Sequence, residues 1–118
     1  MTSFPRVLVI DDDGGVRQLL SACVQRIGYE AVALDSGADL ANRAEGDIVA
    51  AIVDLLLPPP DGFEVIRRIR ELWPSAWIVA ISGASPLLGA ARHLGADATL
   101  SKPFSCDEIA IALQAGMK

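Results

Sequence analysis

Short apolar runs that each stop abruptly on a polar residue dominate this sequence, with helical stripes between them. Arg6 to Ile10 is such a run and is followed by Asp11, Asp12 and Asp13. Asp47 to Val53 leads into Asp54, Trp77 to Ile81 into Ser82, and Thr99 and Leu100 into Lys102. A strand that is apolar at every position, rather than at alternate ones, is buried on both faces, as in a parallel sheet covered by helices. Glu30 to Leu34 adds a second short strand, giving five in all.

The intervening segments read as helices. Val16, Leu19, Leu20, Cys23, Val24 and Ile27 recur on one helical face, and Gly28 stops it. A second helix opens at Ser36 or Gly37 and ends near Gly46. Pro58-Pro59-Pro60 forbids helix and central strand, so a loop precedes the third helix, which starts at Gly62 and closes at Pro74. Its apolar side is Phe63, Val65, Ile66, Ile69 and Leu72. Pro86 to His93 is a short fourth helix ended by Gly95. Ser105 opens the fifth, with Glu108 placed for a capping box.

Five β-α units with short connections predict an α/β fold, a doubly wound (βα)5 three-layer sandwich. Strand order 2-1-3-4-5 suits five units, and its switch point lies between strands 1 and 3. Ligands bind beyond the carboxyl ends of the strands at such a point. Asp11, Asp12, Asp54, Ser82 and Lys102 all follow strand ends, so this order gathers them on one edge.

Three carboxylates at one edge repel. Two unit charges 4 Å apart cost about 4 kcal/mol at an effective dielectric of 20. Lys102 offsets one charge, and a hard divalent cation such as Mg²⁺, or Mn²⁺ in its place, offsets two more. A carboxylate is also a nucleophile towards phosphoryl groups, and that transfer needs positioning and charge neutralisation above all. In this reading Asp54 accepts the phosphoryl group and also meets the metal that Asp11 and Asp12 hold, and Lys102 and the Ser82 hydroxyl bind phosphoryl oxygens. Lys102 is one of two lysines, the other being Lys118.

At this point the chain resembles the receiver domain of two-component response regulators along almost its whole length. The matching pieces are VLVIDDD (residues 7–13), AAIVDLLLPPPDG (50–62), IVAISGAS (78–85) and GADATLSKPF (95–104). The resemblance implies an acidic metal pair at Asp11 and Asp12 and a phosphorylated aspartate at Asp54. It further implies a metal-ligating backbone carbonyl at Leu56, a phosphoryl-sensing hydroxyl at Ser82 and a phosphate-pairing Lys102. The bond from Lys102 to Pro103 is expected to be cis. Its implied partners are a histidine kinase or histidine phosphotransfer protein, and an unknown downstream protein that docks on the face of helix 4, strand 5 and helix 5.

Three features depart from the family pattern. Thr99 stands where a rotating Tyr or Phe is usual, the segment from Ser82 to Gly95 is about two residues short, and helices 4 and 5 are rich in alanine. They motivate an alternative, a receiver-like interaction domain that works without phosphorylation. A phosphatase or flavin carrier on the same fold fits poorly. Leu56 sits where a second catalytic carboxylate would be needed, and the acidic first loop repels a flavin phosphate.

The remaining expectations are plainer. The net charge of −5 and the scattered arginines argue against direct nucleic-acid binding. Arg67, Arg68 and Arg70 read as a solvated helix face, Trp73 and Trp77 as packing residues, and His93 as a surface or capping residue. Asp13 suits an N-cap. Two cysteines are too few for a disulfide scaffold, so Cys23 reads as a reduced, packed thiol. No stretch suggests a signal peptide or membrane span, so a cytoplasmic protein is expected. The 118 residues are expected to form one receiver domain without an output domain, a monomer or weak dimer, and not an enzyme in its own right.

Overall fold

A computed structural model describes residues 5–44 and 46–116. Five parallel strands form one sheet in the order β2-β1-β3-β4-β5. They are β1 (Arg6–Ile10), β2 (Glu30–Leu34), β3 (Ile48–Asp54), β4 (Trp77–Ser82) and β5 (Ala98–Ser101). The helices are α1 (Gly14–Arg26), α2 (Leu40–Arg43), α3 (Gly62–Leu72), α4 (Ser85–His93) and α5 (Cys106–Gln114). The predicted architecture and strand order are therefore those observed.

Successive strand side chains point to opposite faces, and the two faces fill two separate cores. Val7, Val9, Ala50, Ile52, Val79 and Ile81 meet Leu20, Cys23 and Val24 of α1 and Ile109 and Leu113 of α5. Leu8, Ile10, Ala51, Val53, Ile78 and Ala80 meet α2, α3 and α4 through Leu40, Val65, Ile66, Ile69 and Ala91. This double use explains why the central strands show no polar alternation.

The helix starts follow their capping chemistry. Asp13 caps α1 by accepting from the N–H groups of Gly15 and Val16. Asp61 caps α3 through Glu64 N–H, and Ser105 and Glu108 form the expected capping box on α5. The second helix is the main departure. Only Leu40–Arg43 is helical, not Ser36 or Gly37 onward. Asp39 adopts φ 56°, a left-handed conformation that interrupts a helix at that residue. Gly37 packs so closely on Val65 that a Cβ there would lie 2.1 Å from Val65 Cγ2.

The cysteines also correct the sequence reading. Cys23 is not a free thiol; it forms a disulfide with Cys106, joining α1 to the first turn of α5. The Cα atoms are 5.3 Å apart, within disulfide range. Only the strand order brings these helices side by side, so spacing along the chain gave no hint of the pair. Closing a loop across 83 residues contributes about 4.5 kcal/mol by the chain-entropy argument.

Arg70 likewise differs from its neighbours. Arg67 and Arg68 pair with Glu64 and Glu71 on the exposed side of α3, as a solvated face should. Arg70 instead donates to the carbonyls of Pro74, Ala76 and Gly95 and to the Asp97 carboxylate. Asp97 also accepts from Ile78 N–H, so the cluster ties α3 to the entries of β4 and β5. Hydrogen bonds to a charged group contribute about 1.5–3 kcal/mol. Arg70→Ala is expected to cost about 2 kcal/mol, read as a lower urea midpoint with an unchanged slope. An unchanged midpoint would show that water replaces the guanidinium without penalty.

Trp73 and Trp77 are packing residues at the amino-terminal edge. Their indole N–H groups donate to Gly46 O and Ala112 O, respectively. Among the described residues, no helix is long and apolar enough to cross a membrane.

Candidate functional site

Asp11 and Asp54 reach the same side of the sheet because they continue two adjacent strands at matching parity. Ile10 pairs with Val53, and each carboxylate is the next residue. Asp11 is fully buried and Asp54 is 4% exposed, while Asp12 is exposed at the rim. Carboxylate oxygens of Asp11, Asp12 and Asp54 all lie within 4.8 Å of one another.

Lys102 is delivered from the far side of the sheet. Its backbone N–H donates to Ser82 O at 2.9 Å, extending the β4–β5 ladder one step past the strand. Its peptide bond to Pro103 is cis, as expected, and a second cis bond joins Pro59 to Pro60. The ammonium Nζ stands 3.2 Å from Asp11 Oδ2 and 3.1 Å from Asp54 Oδ2.

The remaining carboxylate oxygens are held by the backbone. Asp11 Oδ1 accepts from Asp13 N–H at 2.9 Å, and Asp54 Oδ1 accepts from Leu56 N–H at 3.1 Å. The Leu56 side chain is exposed at the mouth of the site. Ser82 is fully buried, and its Oγ accepts from Ala84 N–H at 2.9 Å. An accepting hydroxyl still has its own hydrogen to donate.

One contact went unnoticed in the sequence. Arg17 Nη1 donates to the backbone carbonyl of Asp11 at 2.8 Å and so fixes the turn that aims Asp11. An arginine one turn into an exposed helix face carries no signal of this role. Asp13, by contrast, caps α1 and is not part of the carboxylate cluster. His93 lies at the exposed end of α4, away from these groups.

Electrostatics follow from the burial. Loss of water raises the Asp11 pKa above 3.8, and the nearby Asp54 charge adds to the rise. Asp13 N–H and Lys102 oppose it only in part. For Lys102, burial favours the neutral amine, but the hydrogen bonds and charges of Asp54 and Asp11 outweigh it and raise its pKa. The site thus has three carboxylates and one firmly protonated lysine, leaving about two negative charges unbalanced. A donor set of carboxylate oxygens, part buried and part open to solvent, fits a hard divalent cation. Asp11, Asp12 and Asp54 are the residues that would hold it.

Comparison with known proteins converges on one family. The family model for the response regulator receiver domain matches residues 7–114. The transcriptional regulatory protein GltR of Pseudomonas aeruginosa is 34% identical over 116 residues, covering 92% of this chain and 47% of the relative. The chain thus spans about half the length of that protein. The chemotaxis protein CheY4 of Vibrio cholerae superposes with a TM-score of 0.86 at 27% identity, over 97% of this chain and 99% of that one. A response regulator protein from Burkholderia pseudomallei, solved with a phosphorylated aspartic acid, calcium ion and citrate, gives 0.80 at 28% identity. That match covers 93% of this chain and 66% of the other.

Proposed function

The chain belongs to the response regulator receiver domain family, and on that premise we propose that Asp54 is its phosphoacceptor. The observation that carries this reading is the Lys102 ammonium poised 3.1 Å from Asp54 Oδ2 beside a three-carboxylate cluster. An Asp54 oxygen forms the bond to phosphorus while the bond to the donor's nitrogen breaks and the donor imidazole takes up a proton from solvent. Lys102 holds one phosphoryl oxygen, and the Ser82 hydroxyl holds another. Asp11, Asp12, Asp54 and the Leu56 carbonyl would hold Mg²⁺ or Mn²⁺, which when bound would supply positive charge against the phosphoryl oxygens. The phosphorylated aspartate and calcium ion of the Burkholderia pseudomallei relative support both assignments by similarity.

The donor is a histidine kinase or histidine phosphotransfer protein, and the output is contact with a downstream protein through α4, β5 and α5. The domain signals rather than turning over a substrate; any hydrolysis concerns its own aspartyl phosphate. Residues 1–118 act as a single receiver domain, in the cytoplasm.

Incubation with acetyl phosphate and Mg²⁺ tests the reading by intact mass. One phosphoryl group per chain is expected, and much less when Mg²⁺ is chelated. No gain in mass would remove the assignment. A second reading rests on Thr99, half-buried in β5 where no aromatic ring can turn. If the output face works without phosphorylation, partner binding is the same with Asp54 labelled or unlabelled.

Metal affinity should also depend on pH. A ligating carboxylate must be ionised, and the raised pKa of Asp11 makes protons compete for it above the ordinary aspartate value of 3.8. Mg²⁺ affinity is therefore expected to weaken as pH falls, starting above that value. Calorimetric titration across a pH series checks this; affinity that holds constant down to the ordinary range contradicts it.

A further inference from the structure

We propose that Cys23 and Cys106 form a reversible thiol–disulfide site, reduced by a dithiol, whose state sets how firmly the amino end of α5 is held to α1. These are the only two cysteines in the chain, and the fold brings them together from 83 residues apart. Cys23 is buried in the third turn of α1, whereas Cys106 is half-buried in the first turn of α5. Cys106 is thus the more exposed of the two residues, and the one an incoming thiolate reaches first.

The bond also sits where it has something to control. Lys102, four residues before Cys106, is fixed to β4 through Ser82 O. Phe104, between them, packs on the α1–α5 side of the sheet. In the oxidised chain the segment 102–106 is therefore anchored at both ends, to the sheet and covalently to α1. In the reduced chain only packing holds the second anchor. The helices themselves do not depend on the bond to stay in place. Leu20, Val24, Ile109 and Leu113 are all fully buried between α1, α5 and the sheet. Reduction is accordingly expected to loosen the start of α5 rather than to unfold the protein.

The exchange balances with a dithiol as the sole reductant. One of its thiolates attacks Cys106 Sγ, the Cys106–Cys23 bond breaks, and Cys23 leaves as a thiolate that takes a proton. The second thiol then attacks the mixed disulfide, releasing Cys106 as a thiol. The chain gains two electrons and two protons, and the reductant leaves as its own disulfide. This assignment goes beyond the phosphoacceptor reading and does not rest on it.

The test uses the whole chain without phosphodonor. The protein is equilibrated in buffers of reduced and oxidised dithiothreitol without denaturant, acid-quenched, freed of dithiothreitol, alkylated in denaturant and weighed. Amide hydrogen exchange is followed in α5, with β1 and β3 as internal reference. Two alkylated cysteines at the reducing end, native circular dichroism and full return of the bond on reoxidation are expected. Exchange in the first turns of α5 should rise at least tenfold on reduction, and by more than in β1 and β3. The Cys23→Ser/Cys106→Ser variant should exchange like the reduced protein and ignore dithiothreitol; if it does not fold, the two states of the natural chain decide the question. A bond that dithiothreitol reduces only when denaturant is present during the equilibration would mark a fixed crosslink and overturn the proposal. Equal α5 exchange in both states, or two thiols already free before reduction, would overturn it as well.

Discussion

Asp54→Asn is expected to abolish phosphoryl uptake, with no added mass after incubation with acetyl phosphate and Mg²⁺. The amide oxygen can still accept the Leu56 N–H bond, so the loop keeps its shape. What disappears is the negatively charged nucleophile and the Lys102 ion pair at 3.1 Å. Asp54 has a buried like-charged neighbour in Asp11, so removing its charge relieves a repulsion as well as breaking a pair. The fold is expected to persist, with unchanged far-ultraviolet circular dichroism. Labelling at the natural rate would move the acceptor to another residue and sink the site assignment.

Gly62→Ala is expected to damage stability and uptake together. A Cβ at Gly62 would lie 2.4 Å from Leu55 Cα and 2.5 Å from Asp54 O. Both obstacles are backbone, so no side chain can swing aside. Overpacking of this kind typically costs 1–3 kcal/mol, and about 3 is expected here because the obstacle is rigid. Relief requires either the start of α3 or the end of β3 to move, and the latter carries the nucleophile. A displacement of about 1 Å in reacting groups can lower a rate by about 100-fold. Denaturant unfolding and the initial rate of mass gain read the two effects separately. Natural values for both would mean that α3 absorbs the methyl group by a shift that spares Asp54.

The sequence revealed most of the frame because its signals are local or periodic. Continuous apolar runs marked the central strands, Ser105 and Glu108 marked the start of α5, and Gly28 marked the end of α1. The carboxylates, Ser82 and Lys102 were legible as strand-end residues once the strand order was assumed. What stayed hidden depends on contacts between distant segments. The Cys23–Cys106 bond needs α1 and α5 side by side. Arg70 looked like Arg67 and Arg68 until its carbonyl partners from β4 and β5 came into reach. The second helix was overextended because neither Asp39 at positive φ nor the close approach of Gly37 to Val65 shows in a residue pattern.

Arg70 and Lys102 together fasten both ends of β5. The first ties Gly95 and Asp97 to α3, and the second bonds its backbone to Ser82 at the other end. Between these two fastenings hangs α4, whose only fully buried residue is Ala91, against three in α1 and four in α3. Of the helices longer than two turns, α4 is thus the one seated on the core by the fewest buried side chains. Its N-cap is Ala84, whose N–H donates to the Ser82 hydroxyl oxygen. That bond links the buried Ser82 hydroxyl beside the carboxylate cluster directly to the entry of α4, so the chemical site and the most lightly seated of the longer helices are in contact through one side chain.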